Sequence, residues 1–120
     1  MSESRPSVTL YHNPRCSKSR QTLNLLKENG IEPDIVEYLK TPPDAATLRQ
    51  VLRMLGIGPR ELMRTKEKRY KELKLSDQGL SEDALIDAMV ENPILIERPI
   101  VIHGKQAALG RPPERVLEIV

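Results

Sequence analysis

The chain has a single cysteine, Cys16, and its neighbours decide what that sulfur can do. It lies in Tyr11-His12-Asn13-Pro14-Arg15-Cys16-Ser17-Lys18-Ser19-Arg20, after a β-branched, apolar run and at the start of a helical pattern. A helix start offers open N–H groups and the positive end of the helix dipole, and both favour thiolate over thiol. Arg15, Lys18 and Arg20 add positive charge, and His12 sits four residues before the sulfur. The expectation is a reactive cysteine whose pKa lies below the ~8.5 of a free thiol. The competing reading of a lone cysteine, a small inert hydrophobe, does not account for this surrounding charge.

Spacing separates the cysteine chemistries. A phosphatase-like loop needs arginine at the sixth position after the cysteine; Thr22 stands there, and Arg20 comes two residues early. A dithiol oxidoreductase needs Cys-x-x-Cys, and Ser19 holds the second place. A phosphate-binding P-loop fails as well, because Gly104-Lys105 is followed by Gln106 and position 99 is Pro rather than Gly. Cys16 therefore reads as a monothiol nucleophile. No internal disulfide can form. With Cys16, His12 and His103 as the only soft ligands, no metal site is expected, and neither is a bound organic cofactor.

The elements that must position this sulfur follow from the pattern. Residues 7–11 read as a strand, and a helix follows from Cys16 with Leu23, Leu25 and Leu26 on its apolar face and Gly30 at its end. Residues 34–39 read as a second strand, so the first forty residues form a strand–helix–strand unit with parallel strands. The middle is helical. Pro42-Pro43-Asp44 starts a helix carrying Leu48, Val51, Leu52 and Leu55, closed by Gly56. Pro59 opens a short helix, Tyr70 and Leu73 offer anchors in the charge-rich stretch 64–74, and Ser81 caps a helix carrying Leu85, Ile86, Met89 and Val90. Residues 99–102 and 106–109 read as a hairpin with His103 as a solvated turn residue. Arg111-Pro112-Pro113 opens a last helix with Val116, Leu117 and Val120 inward.

Composition narrows the partners. The 120 residues make one domain, with residues 1–6 expected as a flexible N-terminus. With no Trp or Phe and only three Tyr, the core is expected to be aliphatic, and base stacking has little to work with. Nineteen basic against 17 acidic residues leave a net charge of +2, which does not point to nucleic acid or a membrane surface. No apolar stretch approaches the ~20 residues of a bilayer span, and Met1 to Pro6 lacks a signal-peptide core. The cytoplasm is the expected location.

The loop around Cys16 closely resembles the active-site loop of the glutaredoxin-linked arsenate reductase family, whose fold is thioredoxin-like. The resemblance continues through Pro42-Pro43, Gly56-Ile57, Arg60-Glu61-Leu62-Met63-Arg64, Asn92-Pro93-Ile94-Leu95-Ile96-Glu97-Arg98-Pro99-Ile100-Val101 and Gly110-Arg111-Pro112. It covers about residues 7 to 119, most closely for a short subgroup of the family. It implies an α/β, thioredoxin-like fold: a small mixed sheet of four strands with a helical insertion between strands two and three. It also implies roles. Cys16 matches the nucleophile, His12 a histidine that helps ionise it, and Ser19 a serine near the sulfur. Arg64, Arg98 and Arg111 match three anion-binding arginines, and Arg98-Pro99 matches the cis-proline position.

The implied reaction is reduction of arsenate to arsenite. Arsenate is a tetrahedral oxyanion that guanidinium forks suit. With one cysteine the electrons must come from outside, and the resemblance implies glutathione as co-substrate and glutaredoxin as partner. Two alternatives stand beside it: a regulator of the Spx type that binds RNA polymerase, and a monothiol oxidoreductase acting on glutathione mixed disulfides. Ser19 in place of a second cysteine, together with Arg111, favours the enzyme over the regulator. Ser17-Lys18 departs from the smaller residues of the best-known members and adds a cation beside the site.

Overall fold

The computed structural model describes residues 7–120, so the N-terminus expected to be flexible lies outside the described residues. The chain gathers into two compact units, one comprising the residues up to Glu37 together with Arg98–Val120, the other Tyr38–Glu97.

The first unit holds the sheet. Strand β1 (Val8–His12) leads through a tight turn into helix α1 (Ser17–Glu28), and strand β2 (Asp34–Glu37) follows. Strands β3 (Ile100–His103) and β4 (Gln106–Leu109) form a hairpin, and a 3₁₀ helix (Pro113–Glu118) ends the unit. The strand order is β2-β1-β3-β4. β1 runs parallel to β2, with Leu10 beside Ile35, and antiparallel to β3, with Leu10 beside Val101; β4 is antiparallel to β3. The strand–helix–strand unit and the mixed sheet are as expected.

Alternation along β1 puts Leu10 and His12 on one face, and both are buried. Leu10 packs there with Leu26 of α1, Val101 and Val116, flanked by Val8, Leu23, Ile31, Ala108 and Ile119. Gly104 takes φ +64° at the first central position of the β3–β4 turn, a backbone state that favours glycine.

Several expectations shift at element ends. β2 stops at Glu37, two residues early. His103 is the last residue of β3 rather than a solvated turn residue; it pairs with Gln106, and its Nδ1 donates to the Ile119 carbonyl at 2.5 Å. The last helix is 3₁₀, and three residues per turn align Pro113, Val116 and Ile119. Val116 is fully buried while Val120 is exposed, where an α-helical period had placed Val120 inward.

The second unit is helical. Helix α2 (Ala45–Leu55) starts at Asp44, whose carboxylate accepts the Thr47 N–H at 2.8 Å, and ends at Gly56 with φ +71°. Helices α3 (Pro59–Leu62) and α4 (Lys68–Glu72) are short, and α5 (Glu82–Glu91) is capped by Ser81 through the Ala84 N–H at 3.1 Å. Leu48, Val51, Leu62, Leu85, Met89 and Leu95 are buried within this unit. Tyr70 is buried as expected, but Leu73 is 41% exposed and Leu75 fills the interior instead. Tyr38 is also fully buried, so the interior is aliphatic with tyrosine added. Arg60 explains part of that: its guanidinium donates to the Tyr70 hydroxyl at 3.2 Å, to the Asp77 carbonyl at 3.1 Å and to the Leu75 carbonyl. Among the described residues no helix is long and apolar enough to cross a membrane.

Candidate active site

The site grows from the turn between β1 and α1. The Cys16 N–H closes the turn on the Asn13 carbonyl at 2.9 Å, and the Cys16 carbonyl accepts the first helical N–H, that of Arg20, at 3.0 Å. Cys16 is thus the N-cap of α1, with extended backbone (φ −95°, ψ 124°). Its side chain closes no cap hydrogen bond, yet the open N–H groups of Lys18 and Ser19 are directed at the sulfur, as orphan donors of a first turn are.

Burial pushes the Cys16 thiol up, but the opposing groups win and its pKa falls below the ordinary cysteine value. Those groups are the Ser19 N–H, the Arg98 guanidinium through both a hydrogen bond and its charge, and the Lys18 N–H. The direction agrees with the sequence expectation, and the source differs. The side chains of Arg15, Lys18 and Arg20 are exposed, where water screens charge, and Arg20 is engaged with the Pro14 carbonyl at 2.9 Å. Backbone dipoles and one arginine distant in sequence act on the sulfur instead.

His12 reaches the site through Ser19. Its Nδ1 lies 2.6 Å from Ser19 Oγ, and the same oxygen accepts the Asn13 N–H at 3.0 Å. Ser19 is fully buried and His12 nearly so, so the hydroxyl fixes both the turn and the imidazole. Burial lowers the His12 pKa; Glu37, its neighbour in the parallel register, raises it, and Arg20 lowers it further. The net effect keeps the imidazole neutral at pH 7.

Arg98 and Arg111 arrive from the segments that flank the β3–β4 hairpin. The Arg98–Pro99 and Arg111–Pro112 peptide bonds are both cis. Arg111 Nε donates to the Arg98 carbonyl at 2.7 Å, and its Nη2 lies 3.9 Å from Cys16 Sγ. The sulfur therefore has two guanidinium groups and two main-chain N–H groups aimed at it, which suits a thiolate beside an oxyanion.

Of the residues the sequence singled out, Cys16, His12, Ser19, Arg98 and Arg111 come together in the first unit. Arg64 belongs to the second. There its guanidinium bonds Glu67 at 2.5 Å and approaches Glu97 at 3.7 Å, and its N–H donates to the Leu95 carbonyl at 2.7 Å. Glu37 and Thr22 escaped residue-type reasoning. The signal for Thr22 was helical spacing, because it stands three residues after Ser19 on the inward face of α1.

A mixed sheet in this order, with the lone cysteine capping the helix after its first strand, defines a thioredoxin-like protein. The model of the ArsC family matches residues 11–119. The chain is 68% identical to the uncharacterized protein YfgD of Escherichia coli strain K12, over 94% of this chain and 96% of that one. It is 50% identical to the arsenate reductase of Haemophilus influenzae, over 95% and 99%. A solved arsenate reductase from Vibrio cholerae superimposes with a TM-score of 0.94 at 54% identity, covering 96% of this chain and 98% of that one. The chain belongs to the ArsC family.

Proposed function

We propose that this chain reduces arsenate to arsenite, with Cys16 as nucleophile and glutathione and glutaredoxin as electron donors. The observation that carries the reading is the convergence of Arg98 and Arg111 on the Cys16 sulfur. The relatives named arsenate reductase support the choice of oxyanion.

The Cys16 thiolate attacks arsenic, an arsenic–sulfur bond forms, and one arsenate oxygen leaves as water after protonation. Arg98 and Arg111 stabilise the charge on the remaining oxygens. Glutathione then displaces a second oxygen from arsenic, again as water. The two sulfurs on arsenic couple to a Cys16–glutathione disulfide, which leaves an electron pair on arsenic and takes it from the pentavalent to the trivalent state; one water adds back to arsenic as it is released as arsenous acid, so one water is made overall. A glutaredoxin thiolate attacks the glutathione sulfur of the mixed disulfide, takes the glutathionyl group and releases the Cys16 thiolate, and a second glutathione frees glutaredoxin as glutathione disulfide. No second cysteine exists in the chain to take that part. His12 and Ser19 hold the loop for this chemistry, and Arg64 is assigned to anion binding by family resemblance alone.

The test is NADPH oxidation coupled through glutathione reductase, with glutathione, glutaredoxin and arsenate. Turnover that needs all three is the expected result. Multiple turnovers with thioredoxin and its reductase as sole electron source would contradict the glutathione-linked cycle. Turnover of a glutathione mixed disulfide without any of arsenate would point to the monothiol oxidoreductase.

A further inference from the structure

Gly110 joins β4 to Arg111, and no side chain fits at its position. Its N–H donates to the Pro99 carbonyl at 2.9 Å. A Cβ there would stand 2.5 Å from Thr22 Oγ1 and 2.7 Å from Pro99 Cγ, well inside van der Waals contact. The backbone leaving β4 is thus pressed against α1 on one side and against the Arg98–Pro99 segment on the other. Neither wall yields easily. Thr22 is fully buried, and its hydroxyl donates to the Lys18 carbonyl at 2.9 Å. Turning Oγ1 away would break that bond, in the turn whose N–H groups face Cys16. Pro99 is a buried ring without rotamer freedom.

Three pieces of chain therefore meet where Gly110 lacks a side chain: the helix that begins at Cys16, the segment carrying Arg98, and the segment carrying Arg111. Arg111, one residue on, spans the remaining gap, with Nε on the Arg98 carbonyl and Nη2 at 3.9 Å from the sulfur. We propose that Gly110 and Thr22 form a positioning pair that sets the reach of Arg111 toward the Cys16 sulfur. A methyl group on Gly110 moves the Arg111 backbone by roughly 1 Å, a misplacement of the size that can cost on the order of 10²-fold in a reaction. The Lys18 and Ser19 N–H groups belong to the first turn of α1 and not to the segment that carries Arg111, so the sulfur keeps its reactivity toward a neutral reagent. The inference rests on Arg111 receiving an anion beside Cys16, as proposed above, but its test does not need arsenate turnover.

The test compares alkylation of Cys16 by iodoacetate, an anion, and by iodoacetamide, which is neutral. Gly110→Ala is expected to lower the iodoacetate-to-iodoacetamide rate ratio roughly two- to fivefold, the scale of moving one partly solvated charge. That brings it toward the ratio of Arg111→Ala. Adding Thr22→Ala, which removes the nearer wall, restores part of the loss. In arsenate turnover KM rises more than kcat falls. A wild-type ratio in Gly110→Ala overturns the proposal, whatever happens to its melting temperature, because a packing defect alone leaves the ratio in place. If Gly110→Ala does not fold, Thr22→Ala alone decides: a lowered ratio supports the pair, and an unchanged ratio overturns it. A lowered ratio in proteins that never reduce arsenate would remove the proposed reaction and leave the positioning role standing.

Discussion

The inward face of α1 changes character along its length. At its N-terminal end it presents Ser19 and Thr22, and then Leu23 and Leu26. β1 changes in the same sense, with Leu10 over the aliphatic end and His12 over the polar one. The aliphatic end, Leu10 with Leu26, Val101 and Val116, needs only shape and volume. At the polar end every group needs a partner, because a buried polar atom without one costs about 1–3 kcal/mol. Apart from the tyrosines, His12, Ser19 and Thr22 are the buried polar side chains among the described residues, and all three surround the start of the helix that Cys16 caps. Stability alone would be served by leucine at such places. Their concentration beside one sulfur marks where the fold has given up apolar burial for a polar site.

This contrast can be broken from either end. The largest effect belongs to Cys16→Ser, which should abolish arsenate turnover while leaving the melting temperature nearly unchanged, since a serine hydroxyl is not ionised near pH 7 and forms no disulfide. Arg98→Lys comes next. Lysine supplies a charge without the planar fork, and losing an oriented donor costs roughly 10²–10³ in rate, so the assay should show that drop with little change in denaturation midpoint. Leu26→Ala should do the reverse. It removes a fully buried side chain and should cost about 2–5 kcal/mol in urea titration, while the thiolate midpoint of Cys16, followed by absorbance against pH, stays in place. If Leu26→Ala shifts that midpoint as far as Arg98→Lys does, the two ends are not separable.

Much of this was legible in the residues. The strand–helix–strand start, the caps at Asp44 and Ser81, the αL end at Gly56 and the hairpin near Gly104 all follow from local chemistry, and the structure has them. What failed depends on long-range packing. Nothing in Leu73 and Leu75 says which is buried, because that is settled by Arg60 drawing in the Leu75 carbonyl and the Tyr70 ring. The exposure of Val120 turns on a 3₁₀ period that two prolines and a short tail do not announce. The site shows the same division. Cys16 at a helix start is a local pattern, and a low thiol pKa follows from it. That Arg98 rather than Arg15 acts on the sulfur is a tertiary fact, which the sequence carried only through family resemblance. So is the close approach at Gly110.

Ser19→Ala sharpens the contrast at smaller scale. It leaves His12 Nδ1 and the Asn13 N–H without their shared oxygen, an expected loss of about 1–3 kcal/mol by denaturation. The Ser19 N–H that faces the sulfur survives the substitution. The thiolate midpoint should therefore rise by less than it does in Arg98→Ala, and a larger rise would show that the hydroxyl, not the main chain, sets the thiol.

The smallest expected effect is in the pH dependence of stability. His12 is held below the ordinary histidine value by burial and by Arg20, against the pull of Glu37. Unfolded, it titrates near ~6.5. Between the two values the unfolded chain binds more protons than the native one, so stability falls as pH drops below ~6.5 toward the folded value. Cys16 has the same sign in a higher window. Its folded pKa is depressed, so its contribution is full above the ordinary value near 8.5 and is lost as pH falls through the folded one. Urea midpoints taken from about pH 5 to 9 should rise through both windows. In difference curves against wild type, His12→Asn should remove the lower rise alone and Cys16→Ser the upper one alone. A lower rise that persists in His12→Asn would assign it to carboxylates elsewhere, and the polar end of α1 would then owe its neutrality to something other than the burial of that imidazole.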